Sequence, residues 1–345
     1  MPPTALDQDT RAALALYLRK ALDPELELES VRRLSGGASN EMYLLELTDR
    51  APLVVRRPPS AKSAPTAHNV VREHTILSAL EHTDVPHPRS LHLCTDEAVI
   101  GAPFLVMEHI DGYVLERPLI GENANPSRLR ERAFQFIDGL AQIARADWRA
   151  AGLESFGKPA GFLDRQVARW LGQLGQYQSR PLPQLELVCG WLRGNQPKMG
   201  APGILHGDYQ FLNVIYHRDG GRIAAIVDWE QSTIGDPLLD LGWVLGMWAE
   251  PGERSPVDLG TWTTQLPGMP RRGELAERYA QASGRSLVNL RYYEVLALFK
   301  LACILEGLYA RHLRATSDFA IHADFEWMVP RLLETAADIA RGERD

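Results

Sequence analysis

The chain has 345 residues, 45% hydrophobic and 23% charged, enough apolar material for a sizeable core and too much for an extended disordered chain. Its formal net charge of −7, with no local basic patch to offset it, works against phosphate backbones and anionic lipid surfaces, so the expected partner is a small molecule, not nucleic acid or membrane. Cys94, Cys189 and Cys303 are odd in number, far apart and in no paired spacing, which argues against a disulfide framework or a zinc site and for a reducing compartment. The first residues lack the basic stretch and apolar run of a secretory signal, and the most apolar segment, 295–309, is interrupted by Lys300 and Glu306, so the expectation is a cytoplasmic protein; a homodimer is compatible with it.

In chain order, apolar spacing predicts a helix over 7–21, then three short strands over 26–34, 42–47 and 53–56, punctuated by Gly36-Gly37 and by the polar segment 48–52. A helix over 68–82 and strands over 90–94 and 104–109 follow, up to the turn Asp111-Gly112. Residues 1–109 thus read as a small antiparallel-sheet lobe. Residues 110–345 read as a larger, mostly helical lobe, with helices over 127–150, 162–177, 184–192, 237–248, 271–282, 288–313 and 324–340. One interrupted sheet breaks this helical run: short strands over 204–205, 214–216 and 223–227, the last two joined by the hairpin signal Asp219-Gly220-Gly221. The fold class is α+β and bilobal.

Polar residues that carry chemistry crowd around those short strands. Leu205-His206-Gly207-Asp208-Tyr209-Gln210-Phe211-Leu212-Asn213 is followed, after the hairpin, by Ile226-Val227-Asp228-Trp229-Glu230. Phosphoryl transfer needs a carboxylate beside the attacking hydroxyl and oxygen ligands that hold Mg²⁺ against the phosphates. Asp208, Asn213 and Asp228 supply that set, and the hairpin would bring them to one end of a shared sheet. A polar turn is the bland alternative for the loop. The ordered succession of Asp208, Asn213, Asp228 and Asp240 disfavours it.

These two segments resemble the aminoglycoside phosphotransferase and choline kinase superfamily, whose loops read H-G-D-x-x-x-x-N and I-D-W/F-E. The resemblance implies a protein-kinase-like fold, ATP as phosphoryl donor and Mg²⁺ as cofactor. It further implies Asp208 as catalytic base, Asn213 and Asp228 as magnesium ligands, and His206 as organiser of the loop. Gly235-Asp236-Pro237-Leu238-Leu239-Asp240-Leu241 is similar to the family's G-D-P-x-x-D-L segment, in which the second acid, here Asp240, braces the loop.

In the first lobe, Ser35-Gly36-Gly37-Ala38-Ser39-Asn40 looks like the family's phosphate-covering loop, its glycines allowing backbone N–H groups close to the phosphates, with Ser35, Gly36, Gly37 and Ser39 as nucleotide contacts. Arg56 stands where kinases place an ATP-binding lysine and Glu73 is its natural partner, although Arg57 could be the inward residue instead. Met107-Glu108-His109-Ile110 matches the hinge that offers backbone groups of Glu108 and Ile110 to adenine. The resemblance covers residues 30–245.

Other patterns are weaker. Gly152-Leu153-Glu154-Ser155-Phe156-Gly157-Lys158 satisfies G-x-x-x-x-G-K, but Pro159 stands where Ser or Thr must meet magnesium, and a helix precedes it, so it reads as a helix-ending loop. His322, Asp324 and Glu326 could be drawn as metal ligands by residue type, yet their place at a helix start favours capping.

The expected activity is transfer of the γ-phosphate of Mg-ATP to a hydroxyl of a small molecule. Only eight positions separate Asp228 from Asp236 (236 − 228), too few for the activation segment of a protein kinase. Residues 242–345 hold 14 acids and 12 Lys plus Arg, a net of −2, so a neutral or anionic metabolite such as a hydroxy acid or a hydroxyacyl-CoA is favoured over a polycationic aminoglycoside. The competing expectation is a nucleotide-binding pseudokinase with a regulatory or scaffold role, suggested by the arginine at position 56 and opposed by the retention of Asp208, Asn213 and Asp228.

Overall fold

The computed structural model describes residues 6–34, 40–58, 70–116, 119, 124–218, 222–258, 261–314 and 320–344. The first helix, α1 (Gln8–Ala21), is capped by Asp7, whose carboxylate accepts from Thr10 N at 2.8 Å. A five-stranded antiparallel sheet follows, built from β1 (Leu28–Arg33), β2 (Glu41–Leu47), β3 (Arg50–Arg57), β4 (Ser90–Cys94) and β5 (Phe104–Glu108) in the order β1-β2-β3-β5-β4. Helix α2 (Val70–Leu80) is inserted between β3 and β4.

Because side chains alternate along a strand, the sheet has two apolar faces with different neighbours. Tyr43, Leu45, Val55, Phe104 and Val106 pack with Leu14 and Leu18 of α1. Leu44, Val54, Leu105 and Met107 belong instead to the large core shared with α2 and the helical part of the chain. That alternation settles which arginine turns inward: Arg56, in step with Val54, faces α2, while Arg57, in step with Val55, pairs with Glu41 at 2.8 Å.

The helical part comprises α3 (Pro126–Arg145), α4 (Phe162–Leu174), α5 (Leu185–Gly194), α6 (Leu238–Met247), α7 (Arg272–Ser283), α8 (Leu290–Leu313) and α9 (Phe325–Arg341). Helix α3 stops five residues short of the expected end at 150, because Asp147 accepts from Arg149 N and Ala150 N and turns the chain. Helices α6 and α8 meet so closely that a Cβ on Gly242 would lie 2.5 Å from the backbone carbon of Tyr293. No helix among the described residues is long and apolar enough to cross a membrane. Cys94, Cys189 and Cys303 are all buried free thiols.

The expected single interrupted sheet is two separate ones. Strand β7 (Val214–Tyr216) pairs with β8 (Ile223–Ile226), as the hairpin signal implied, although the turn residues 219–221 lie outside the described set. Strand β6 (Gly203–Leu205) pairs with β9 (Thr233–Gly235), a strand the sequence reading lacks, since three residues carry no measurable alternation. Asp324 occupies the N-cap of α9 without a side-chain capping bond, so the expected capping is positional only. Among the described residues, no three His, Cys, Asp or Glu side chains group as a metal site.

Candidate active site

The loop after β6 is fixed from beneath by one carboxylate. Asp240, in the first turn of α6 and 2% exposed, accepts from His206 N at 2.6 Å and from Gly207 N at 3.0 Å. Gly207 has φ +85°, and a Cβ there would stand 2.5 Å from the Gln231 carbonyl oxygen, so only glycine fits. His206 is fully buried; its Nε2 donates to the Val227 carbonyl at 3.0 Å and its Nδ1 accepts from Asp208 N at 3.3 Å, a set that neutral imidazole satisfies. Burial holds its pKa down to about 4. His206 thereby ties the Asp208 loop to the chain just before Asp228.

Asp208 is half-buried at the mouth of this loop. Asn213 Nδ2 donates to the Asp208 carbonyl at 2.9 Å and to its carboxylate at 3.3 Å, and Gln210 Nε2 lies 3.2 Å from the same carboxylate. Burial, and then the nearby Asp228 charge, push the Asp208 carboxyl up to about 7. With the Asn213 amide nitrogen engaged by Asp208, the amide oxygen is the atom left to face a hard cation.

Across from the loop, Arg56 gathers three acids. Its guanidinium lies 2.8 Å from Glu73 of α2, 2.6 Å from Asp228 and 2.9 Å from Glu230. Asn40, at the foot of β2, donates to the same Glu230 oxygen at 2.6 Å. One positive charge against three carboxylates leaves an acidic surplus, and burial raises Glu73 to about 7 and Glu230 to about 8. Asp228, held in the left-handed region at φ 68°, keeps a third of its side chain exposed. Helix α2 is further tied to this segment through Arg72, which donates to the Ser232 carbonyl at 2.8 Å.

These residues fit a magnesium–nucleotide complex on two counts. The acidic surplus matches a divalent cation with oxygen ligands from Asp228 and Asn213, and Mg²⁺ needs few protein ligands when phosphates and waters supply the rest. Beside them, Arg56 Nε and Asn40 Oδ1 are buried without a partner among the described residues, a donor and an acceptor suited to a polar ligand.

The structure therefore gathers His206, Asp208, Asn213, Asp228, Arg56, Glu73 and Asp240 around one site. Glu108 closes β5 opposite Leu53, and Ile110 lies half-buried just before Gly112. Ser35, Gly36, Gly37 and Ser39 lie outside the described residues. The G-x-x-x-x-G-K segment does no phosphate-loop work: it runs between α3 and α4, and Gly157 packs where a Cβ would approach Ile234 N to 2.7 Å. Sequence reasoning missed Glu230 and Asn40 as partners of Arg56. It also missed Lys300 of α8, whose Nζ donates to the Gly207 carbonyl at 2.7 Å.

An antiparallel sheet beside a helical part, with the H-G-D loop and the V-D-W-E segment beside the inward arginine of β3, defines a kinase-like phosphotransferase. Residues 30–299 match the phosphotransferase enzyme family, and the chain belongs to that family. It is 32% identical over 311 residues to the mouse protein named acyl-CoA dehydrogenase family member 10, covering 89% of this chain but 29% of that one. The chain thus spans about a third of the length of this relative. A crystal structure from Ralstonia eutropha, named for the aminoglycoside phosphotransferases, superposes with a TM-score of 0.79 at 28% identity, covering 96% of this chain and 98% of that one. A spectinomycin phosphotransferase in complex with ADP and spectinomycin shares the fold, with a TM-score of 0.58 at 11% identity over 97% of this chain and 98% of its own.

Proposed function

We propose that the protein transfers the γ-phosphate of Mg-ATP to a hydroxyl group of a small molecule in the cytoplasm. The observation that carries this reading is the convergence of Asp208, Asn213 and Asp228, one proton acceptor and two oxygen ligands, opposite the buried Arg56–Glu73 pair. Bound Mg-ATP would supply the electrophilic phosphorus and the divalent charge that the acidic surplus calls for.

The chain's own residues supply position. Asp208, held by Asn213 and Gln210, orients the acceptor hydroxyl and takes its proton at the carboxylate oxygen. His206, Asp240 and the glycine geometry at 207 keep that carboxylate in place before any substrate arrives, so little reorganisation remains at the moment of transfer. Asn213 and Asp228 would hold the metal, and Arg56 would turn from Asp228 to a phosphate oxygen while Glu73 keeps it inward. Residues 1–109 would carry the nucleotide, with the backbone of Glu108 and Ile110 against the base and residues 35–39 over the phosphates. Residues 110–345 would carry the acceptor.

The test is release of ADP from Mg-ATP against a panel of aminoglycosides, macrolides, choline, amino alcohols, hydroxy acids and hydroxyacyl thioesters, with Asp208→Ala as the blank. Turnover that disappears in the variant establishes the transfer. Intact Mg-ATP binding with no turnover on any alcohol would favour a nucleotide-binding protein without catalysis.

A further inference from the structure

Lys300 is the lone charged residue in the apolar run from Val295 to Leu305 of α8, and it is only 8% exposed. Burying an ammonium is costly unless its donors are satisfied. Of its three N–H groups, one reaches the Gly207 carbonyl at 2.7 Å, and no second acceptor meets it among the described residues. The charge itself is balanced in part by the nearby carboxylates of Asp208 and Asp240. No oxygen among the described residues takes the remaining donors.

Two tryptophans share this surrounding. Trp243 of α6 lies with its ring centroid 4.6 Å from Lys300 Nζ, and Trp170 of α4 with its centroid 6.0 Å away. Both indole Nε1–H groups are buried, and neither has an acceptor among the described residues. Buried indole N–H groups ordinarily find a partner. Here an ammonium beside the loop that carries Asp208, and two indoles whose rings lie near it, leave donors unmet on three different helices. No carboxylate accepts from them among the described residues; every unmet group is a donor.

A second cation lies at the exposed edge of this group. Arg169, exposed on α4, lies with its guanidinium 5.3 Å from the Trp170 ring centroid, and its charge is close enough to disfavour the ammonium of Lys300. With the Lys300 charge balanced only in part by Asp208 and Asp240, a second cation beside it favours an electron-rich group arriving from outside.

We propose that Lys300, Trp170 and Trp243 form an oxygen-reading subsite for the acceptor, so that the alcohol phosphorylated at Asp208 carries a carbonyl oxygen near its hydroxyl, as a carboxylate, ester or amide. This rests on the phosphotransfer reading and adds the chemical class of its acceptor. The hydroxyl goes to Asp208 and the carbonyl oxygen to the ammonium, which also holds the loop through Gly207. A polyamine offers this subsite nothing but more donors, which the ammonium and Arg169 repel.

The experiment measures binding by tryptophan fluorescence in the presence of Mg-ADP, comparing ω-hydroxy carboxylates of three to six carbons, their primary amides and the diols of the same lengths. We expect the carboxylate or the amide to bind roughly 10- to 100-fold more tightly than the diol, the range for hydrogen bonds to a charged group. Lys300→Met should abolish that preference and Lys300→Arg should restore part of it. Trp243→Phe, which keeps an aromatic ring and the Gly207 bond and removes one N–H, should reduce the preference by about fivefold, which guards against a Lys300→Met variant that simply disturbs the loop. Diols bound as tightly as the carbonyl compounds, a preference that survives Lys300→Met, or carbonyl compounds that do not bind overturn the subsite. Equal Mg-ATP turnover on diols would do so while leaving phosphotransfer standing; loss of Mg-ADP binding by the unmodified protein would instead strike the phosphotransfer reading itself.

Discussion

The two sides of the site are organised by different physics. Around Asp208, backbone N–H groups meet a single buried carboxylate, Asp240, and a neutral histidine bridges two backbone positions. Around Arg56, long side chains from β3, α2, β2 and the segment after β8 meet through charge. The first side holds the Asp208 loop in place without a ligand. The second has more acid than base, a surplus that a bound cation would offset. A rigid base facing an adjustable charge cluster suits a reaction in which the nucleotide and metal arrive anew each cycle while the proton acceptor stays in place.

The comparison breaks most visibly at its rigid side. Asp208→Asn preserves the shape and the Asn213 contact but removes the proton acceptor, so turnover should fall by about 100- to 10,000-fold. Mg-ATP affinity, measured by calorimetry, should stay within about threefold. An equal loss of both would mean that Asp208 holds the metal. Next in size is Arg56→Met, which leaves Glu73 and Glu230 without their cation. Removing one partner of a buried ion pair costs about 3–5 kcal/mol, readable as a lower urea midpoint. Added Mg²⁺ should raise that midpoint more in the variant than in the unmodified protein, because the cation replaces the missing charge. No difference in the magnesium response would show that the cluster is not where the metal binds.

The rigid side was the legible one. His206, Asp208 and Asn213 stand in one short motif, so their meeting at one loop can be read from local order along the chain, as the place of Asp228 across from them can from a second motif. Asp240 was legible for the same reason. Arg56 against Arg57 required strand phase, which a run of Leu53, Val54 and Val55 buried on both faces does not reveal from residue types alone. Glu230 and Asn40 were quoted within motifs without roles, because which acids meet Arg56 depends on how the sheet packs on the segment after β8. Lys300 read as a mere interruption of an apolar helix. A charged residue inside a helix that is apolar all round was the available signal, since burial without a partner is too costly to be idle. The pairing of β6 with β9 left no signal at all: Thr233-Ile234-Gly235 is too short to alternate.

A smaller effect, within the rigid side, depends on pH. The His206 pKa is lowered from 6.5 to about 4 by burial, so the unfolded chain binds a proton there at a pH where the folded protein does not. The stability that this group contributes is therefore fully present above pH 6.5 and is lost as pH falls towards 4, by about 3 kcal/mol over the whole window. Asp240 acts in the opposite sense, because its pKa is raised from 3.8 to about 6, so the folded protein binds a proton more readily and stability rises as pH falls through 6 towards 3.8. His206→Asn should thus be less stable than the unmodified protein at pH 7, with the gap closing by pH 4. Asp240→Asn should change the slope of stability with pH in the other direction. Urea midpoints at half-unit steps of pH between 4 and 7 measure both, and parallel curves for His206→Asn and the unmodified protein would show that the imidazole is not held neutral.

The least effect is expected where the two sides are stitched together. Tyr113 and Tyr216 exchange backbone hydrogen bonds at 3.0 and 2.8 Å, joining the segment after β5 to β7, the strand that follows Asn213. This approach is close enough that a Cβ on Gly112 would lie 2.4 Å from Ile215 Cγ2 and 2.5 Å from the Tyr216 carbonyl oxygen. The methyl group of Ile215 can move; the carbonyl cannot without breaking the bridge. Gly112→Ala should therefore cost about 1–3 kcal/mol, the usual range for overpacking a tight contact. Its effect on the site should be selective. Displacing β7 moves Asn213 relative to Asp228 while leaving the Asp240 bonds to His206 and Gly207 intact, so the metal requirement should rise, seen as a higher magnesium concentration for half-maximal Mg-ATP binding, with nucleotide affinity at saturating magnesium changed by less than about threefold. If affinity falls equally at every magnesium concentration, Gly112 acts on the nucleotide side and the stitch between the two sides lies elsewhere.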